Sequence, residues 1–292
     1  MDVIETLPIE RWSGPFAPEL QRRATEALES GKLLYCPKLA FAIEEGEQAL
    51  LSPTLSNGKA KNISLDPLSG TCQGLAAPSE VSARVAAMME RFARAASRFV
   101  AELFPGYAAG LERARTSYRP VEIEGRGYSA LKDDKLLHVD AFPSRPTHGR
   151  RILRLFTNVD PHGKLRLWHV GEPFEAFARQ FLPRVRKPLP GEGWLLESLG
   201  ITKGRRGAYD HLMLGLHDRG KRDAQYQKTA PQAALSFPAG STWLCYTDQV
   251  LHAALGGQFA LEQTFHLDIE AMADPLRSPL KVLERLTGQA LA

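Results

Sequence analysis

From residue 111 to about residue 270 the chain breaks into short segments rich in β-forming residues, and this texture limits the fold more than any other feature. RARTSYRPVEI, KLLHVDAF, RRILRLFTNV, GKLRLWHV, GSTWLCYT and FALEQTFHLDI alternate apolar with polar positions or run β-rich, with turn residues between them. Between Gly171 and Pro231 a largely helical stretch interrupts the series, including FEAFARQFLP and RRGAYDHLMLGLHDRGKRDAQYQ. Many short strands with a helical insertion predict an α+β chain built on a β-sandwich or barrel.

Helices are expected at both ends of that core. APELQRRATEALESGK predicts a short helix from about Pro18 to Glu29. The polar stretch 44–78, punctuated by Gly and Pro, is expected to be loops. PSEVSARVAAMMERFARAASRFVAELFPG then predicts a long helix with Ser79 as N-cap and a stop at Pro105-Gly106. Val81, Val85, Met88, Phe92, Ala95, Phe99 and Leu103 form its apolar stripe, with Arg84, Arg91, Arg94 and Arg98 on the other faces. Such a helix could lie on an anionic membrane; packing on a sheet with solvated arginines is the favoured reading. SPLKVLERLTGQALA predicts a closing helix. The expected organisation is an N-terminal α/β region over 1–110, a catalytic core over 111–270 with the insertion at about 171–231, and a helical tail over 271–292.

Composition narrows the function classes. At 43% hydrophobic and 24% charged, the 292-residue chain has the balance of a soluble globular protein. Its start, MDVIETLPIERW, carries acids and no apolar run, so no secretory leader is expected, and no uncharged stretch is long enough to span a bilayer. Cys36, Cys72 and Cys245 are scattered and odd in number, which argues against a disulfide framework or thiolate zinc site and suits a reducing cytoplasm. Net charge is +4 with a pI near 9.0, mild enough to favour an anionic substrate or surface. Nucleic-acid binding has little support, because no basic–aromatic repeat accompanies that small excess.

The stretch LLHVDAFPSRPTHG carries the chemistry. His138 and Asp140 stand two apart at the end of an apolar run, so on a strand both would project to one face. Two histidines and one carboxylate on one side of a metal form the facial site of non-haem iron(II) oxygenases. His252, just before the Gly256-Gly257 turn, is the best third ligand, and His266 on the returning segment is the one serious substitute. His211 and His217 lie six apart in an expected helix, which does not put them on one face.

HVDAFPSRPTHGRRILRLFTNV, WHVGEPFEAFARQFLP, GITKGRRGAYDHLMLGLHD, FPAGSTWLCYTDQVLHAAL and LEQTFHL together resemble the Kdo hydroxylase family, collinearly over most of 115–270. The resemblance implies a double-stranded β-helix (jelly roll) and an iron(II)- and 2-oxoglutarate-dependent dioxygenase with ligands His138, Asp140 and His252. It implies use of O2, and hydroxylation at C3 of 3-deoxy-D-manno-oct-2-ulosonic acid (Kdo) on Kdo-bearing lipid A or a lipopolysaccharide precursor. The product is Ko, with succinate and CO2. The implied location is cytoplasmic, at the cytoplasmic face of the inner membrane without spanning it; a homo-oligomer stays open.

Many enzymes of this chemistry hold the distal carboxylate of 2-oxoglutarate with an Arg about ten residues after the last histidine. Here AALGGQFALEQTFHL contains no Arg or Lys. Arg154, on the segment after the HxD pair, is the expected clamp, with Arg119 as second candidate and Trp168 as a pocket wall. Arg145, Arg150, Arg151, Lys203, Arg205 and Arg206 are expected around the mouth. If Arg154 and Arg119 were both paired within the protein, a cupin-like metal enzyme without 2-oxoglutarate would gain ground. A non-enzymatic β-sandwich binding acidic glycans would hold no metal at all.

Overall fold

The computed structural model describes residues 1–125, 127, 129–189 and 191–292. Two sheets face each other. Their strands and helices, in chain order, are β1 (Ile4–Thr6), α1 (Pro18–Glu29), β2 (Leu33–Cys36), β3 (Ile63–Leu65), β4 (Cys72–Gln73), α2 (Ser79–Leu103), β5 (Leu111–Arg119), β6 (Arg151–Asn158) and β7 (Arg166–Gly171). There follow α3 (Phe174–Phe181), α4 (Glu192–Ser198), α5 (Ala208–Arg222), α6 (Ala224–Thr229), β8 (Gln232–Phe237), β9 (Thr242–Tyr246), β10 (His252–Gly256), β11 (Ala260–Leu267) and α7 (Pro279–Thr287). The major sheet runs β1-β2-β9-β6-β11-β5-β3-β4 and the minor sheet β10-β7-β8. This is the jelly-roll arrangement the segment pattern and the resemblance predict.

Side-chain alternation explains the layering. Along the central strands β6 and β11 one set of side chains points to the helical layer and the other to the minor sheet. α2 covers the outer face against β5 and β11. Of the predicted stripe, Val85, Met88, Phe92, Phe99 and Leu103 are buried and Val81 and Ala95 half-buried, so its apolar face is used up in the core. Arg84, Arg94 and Arg98 are exposed, while Arg91 reaches the Ala42 carbonyl at 2.8 Å. The N-cap is Pro78 rather than Ser79, which is the first helical residue. Between the sheets, Phe156, Trp168, Phe237 and Trp243 pack as one aromatic group. Trp168 stands edge-on to Phe156, Phe237 and Trp243, with centroids 4.9, 6.0 and 5.7 Å away.

Three local differences from the sequence expectations bear on the site. Residues 63–65 and 72–73, inside the stretch expected to be loops, form β3 and β4 and lengthen the major sheet beyond β5. Each is too short for its alternation to register as a pattern. β8 also escaped the sequence reading, because QAALSF has only one large aromatic to mark it. KLLHVDAF, conversely, is no regular strand. His138 makes an isolated bridge to His252, with N–H to carbonyl distances of 3.1 and 2.9 Å in the two directions, and the Asp140 N–H donates to the Thr247 carbonyl at 2.7 Å. Pro143 and Pro146 cannot donate to a ladder, so the segment leaves the minor sheet soon after the ligand pair.

Candidate metal centre and its comparisons

The bridge that replaces a strand is what assembles the metal site. It sets His138 directly beside His252, the first residue of β10, with ring centroids 4.5 Å apart. Asp140 follows two residues on, its Oδ1 3.9 Å from His138 Nε2. One ligand atom from each of the three lies within 4.8 Å of the others. His138 Nδ1 sits 2.7 Å from the Leu136 carbonyl and His252 Nδ1 2.9 Å from that of Val250. Donating through Nδ1 fixes the tautomer and leaves each Nε2 lone pair for a metal. The Trp168 ring stacks on His252 at 5.3 Å and holds its plane.

Electrostatics keep all three residues in their ligating forms. Burial, reinforced by His252 and Lys221, drives the His138 imidazolium form down well below its ordinary range, and burial does the same for His252. Burial alone would raise Asp140, but the Arg154 guanidinium holds its carboxyl below the usual range. The donor set therefore fits a divalent iron: two neutral nitrogens, one anionic oxygen, and a cavity on the open side. His266 is not part of it. Its Nδ1 lies 3.4 Å from the Arg151 carbonyl, and its ring looks into the outer cleft.

The cavity has two parts. An outer cleft of about 490 Å³ is bordered by Lys61, Arg115, Arg145, His217 and Lys221, with His138, Asp140 and Arg154 at its floor. An inner chamber of about 50 Å³ continues past the three ligands to Phe156, Arg166, Trp168 and Ala254. The ligands thus stand where a wide cleft narrows into a small inner chamber. A separate groove of about 630 Å³ between the N-terminus, α3 and α7 is lined by none of them.

Three arginines border the inner chamber, and their partners differ. Glu262, ten residues after His252, occupies the very position where a cation was sought. It accepts from Arg119 Nη2 at 2.7 Å and Arg154 Nη1 at 2.8 Å. Arg154 Nη2 also lies 3.0 Å from Asp140 Oδ2, an ion pair without hydrogen-bond alignment. Arg119 reaches Asp134 as well, at 3.7 Å. Both expected clamps are therefore paired to protein carboxylates. Arg166, two residues before Trp168 on the same face of β7, is buried and donates from Nη1 to the Gly257 carbonyl at 3.1 Å. Gly257, at φ +108°, allows this approach: a Cβ there would stand 2.9 Å from Arg166 Cδ. The indole N–H of Trp168 is buried with no acceptor among the described residues.

Of the expected mouth residues, Arg145 borders the cleft. Arg151 does not: it is fully buried, bonded to Asp248 at 2.8 Å and stacked over Tyr246. Its position between Arg150 and a β-rich run gave no sign of that inward face. Arg150 is taken up by Glu112 and Asp268. Sequence reasoning missed Arg166, Lys221, Asp134 and Glu262. Arg166 could have been found, since RLW on a strand places it on the face of Trp168.

The geometry agrees with the comparisons. A family model for 3-deoxy-D-manno-oct-2-ulosonic acid (Kdo) hydroxylase matches residues 11–290. The solved Kdo hydroxylase KdoO, a non-heme Fe(II) alphaketoglutarate-dependent dioxygenase, is 50% identical in its complex with alphaketoglutarate and Fe(III). That match covers 99% of this chain and 97% of KdoO, with a TM-score of 0.96. Its cobalt(II) complex matches at 51% identity and a TM-score of 0.96, and its succinate and Fe(III) complex at 50% and 0.95, over the same shares of both chains. A sequence search of curated proteins finds no match. The chain belongs to the Kdo hydroxylase family.

Proposed function

We infer that this protein is an iron(II)- and 2-oxoglutarate-dependent dioxygenase that hydroxylates C3 of Kdo in a Kdo-bearing lipid A or lipopolysaccharide precursor, working at the cytoplasmic face of the inner membrane. The observation that carries this is the placement of His138, Asp140 and His252 where a small aromatic-walled chamber meets a cation-bordered cleft. These three residues would hold the iron, which supplies activation of O2 coupled to oxidative decarboxylation of 2-oxoglutarate into succinate and CO2. The residues of the chain do the rest. The two backbone-pinned imidazoles and Asp140 leave adjacent positions facing the cavity. Phe156 and Trp168 exclude water from the chamber, which strengthens every charge interaction inside it.

The pairing of Arg119 and Arg154 would by itself favour a cupin-like enzyme with no 2-oxoglutarate site. Arg166 adds a third guanidinium at the inner end of the site. It closes the inner chamber beside Trp168, where the distal carboxylate of 2-oxoglutarate would lie, and a guanidinium fork suits a carboxylate. We assign Arg166 as the clamp and Arg154 as the residue that orients Asp140. Losing one partner of a buried charge pair costs roughly 3–5 kcal/mol, or about two to four decades in affinity. Arg166→Ala is therefore expected to raise the 2-oxoglutarate KM by that amount while cobalt(II) binding, followed by its visible absorption, changes little. Arg154→Ala should weaken metal binding instead. The reverse pattern, with 2-oxoglutarate lost only in Arg154→Ala and metal retained, would return the clamp to Arg154.

Kdo is a sugar acid, and the cleft offers a receptor for its carboxylate. Lys221 on α5 is only 3% exposed yet borders the cleft with His138 and His217. Burial pushes its ammonium down from the ordinary lysine range, a cost that an incoming anion relieves. Charge-assisted hydrogen bonds contribute about 1.5–3 kcal/mol, so Lys221→Met should raise the KM for the Kdo substrate about ten- to hundredfold. Steady-state kinetics at saturating 2-oxoglutarate would show it. An unchanged KM would remove Lys221 from substrate recognition.

A further inference from the structure

Among the described residues, ten large apolar side chains are exposed, and five of them fall between 189 and 201: Leu189, Trp194, Leu195, Leu199 and Ile201. Trp194 is 62% exposed and Leu199 63%, on or just beyond α4. The cluster is flanked by Arg186 and Lys187 on one side and Lys203, Arg205 and Arg206 on the other. Between residues 186 and 206 the acids are Glu192 and Glu197. Glu192 pairs with Arg186 at 2.5 Å, which leaves Lys187, Lys203, Arg205 and Arg206 against Glu197. An apolar Trp- and Leu-bearing face edged by basic residues has the composition of a segment that lies in a membrane interface. Helix α4 has seven residues, and no helix of the described residues is long and apolar enough to cross a bilayer, so the segment would lie on the surface.

The position of the patch matters as much as its composition. The Lys203 N–H donates to the Ser144 carbonyl at 2.8 Å, and Arg206 donates to the Pro143 carbonyl at 2.7 Å. Those carbonyls belong to the loop that follows Asp140, whose Ala141, Phe142 and Arg145 line the outer cleft. The patch is therefore fastened beside the entrance through which a substrate headgroup would reach the metal site.

We propose that the apolar patch on and just beyond α4 docks the enzyme on an anionic phospholipid surface, with Trp194, Leu195 and Leu199 entering the interface and Lys187, Lys203 and Arg205 meeting lipid phosphates. The proposal rests on the glycolipid reading of the substrate given above. Charge selects this occupant over a second copy of the chain: the flanks are basic on both sides, and two such faces would repel each other.

The test uses the full-length, iron-loaded protein and the double variant Trp194→Ser/Leu199→Ser, whose exposed positions leave the core intact. The wild type should sediment with phosphatidylethanolamine–phosphatidylglycerol vesicles, less so at high salt, and little with phosphatidylcholine vesicles. The variant should lose at least about tenfold in partitioning. Its turnover of vesicle-borne Kdo-lipid A should fall in step, while turnover of a deacylated, water-soluble Kdo saccharide stays at the wild-type level. Equal vesicle binding by the two proteins would overturn the proposal. So would a wild type that ignores anionic vesicles, including one that instead forms a dimer the variant dissolves. If neither substrate is hydroxylated, the enzymatic reading fails, and the vesicle measurement still decides the docking claim.

Discussion

His252→Ala is expected to abolish turnover and stoichiometric metal binding together, while the protein stays folded. His252 offers one of the three clustered ligand atoms, its Nδ1 faces the Val250 carbonyl, and among the described residues no other His, Cys, Asp or Glu joins the cluster. Ligand deletion in a site with two neutral and one anionic donor removes a third of the coordination the protein provides. We expect kcat/KM to drop by about three decades or more, and cobalt(II) absorption to disappear, as for His138→Ala and Asp140→Ala. Thermal unfolding should change modestly, because the imidazole contributes a stack on Trp168 rather than a core anchor. Full activity in His252→Ala would overturn the ligand assignment and direct attention to His266. The structure keeps His266 on β11 against the Arg151 carbonyl, away from the other ligands.

The second large effect falls on stability. Glu262 is 2% exposed and neutralises both Arg119 and Arg154 in the middle of the major sheet. Glu262→Ala removes the carboxylate the two guanidiniums share and leaves Arg154 with Asp140 at 3.0 Å and Arg119 with Asp134 at 3.7 Å, a loss toward the lower end of about 3–5 kcal/mol. Against a total of about 5–15 kcal/mol for a typical protein, that is a large fraction, and chemical denaturation should show a marked fall in midpoint. Burial raises the Glu262 carboxyl, but the two arginines outweigh it and hold the group below its ordinary range. Its stabilising contribution is therefore fully present above the unfolded glutamate pKa of about 4.3 and fades as pH falls through the lower folded value. Glu262→Ala should flatten that acid limb. A variant as stable as the wild type would show that Asp140 and Asp134 suffice to balance the two arginines.

The strands of the core were legible because runs of five to nine residues rich in β-formers stand between turn residues, as in β5, β6 and β9; β6 and β9 are buried almost throughout, so composition rather than alternation marked them. The metal pair was legible for another reason: His138 and Asp140 are neighbours in sequence, and spacing alone puts them together. What could not be read was everything decided by pairing across strands. Arg119, Arg154 and Glu262 come from three strands, and only the register that sets Arg154 opposite Thr264 and Arg119 opposite Ala260 brings their side chains onto one carboxylate. Arg151 looked like its surface neighbour Arg150, yet the strand turns it into Asp248 and the Tyr246 ring. Lys221 sits in a helix of mixed charge whose buried face no period could separate from its solvated one.

The most direct measurement follows succinate release from 2-oxoglutarate by the iron-loaded protein, with and without Kdo-bearing lipid A, alongside mass analysis of the sugar. Succinate should form slowly alone and rapidly with the glycolipid, in a one-to-one ratio with Kdo that has gained one oxygen at C3. Succinate release indifferent to the glycolipid, with the sugar unchanged, would contradict the account.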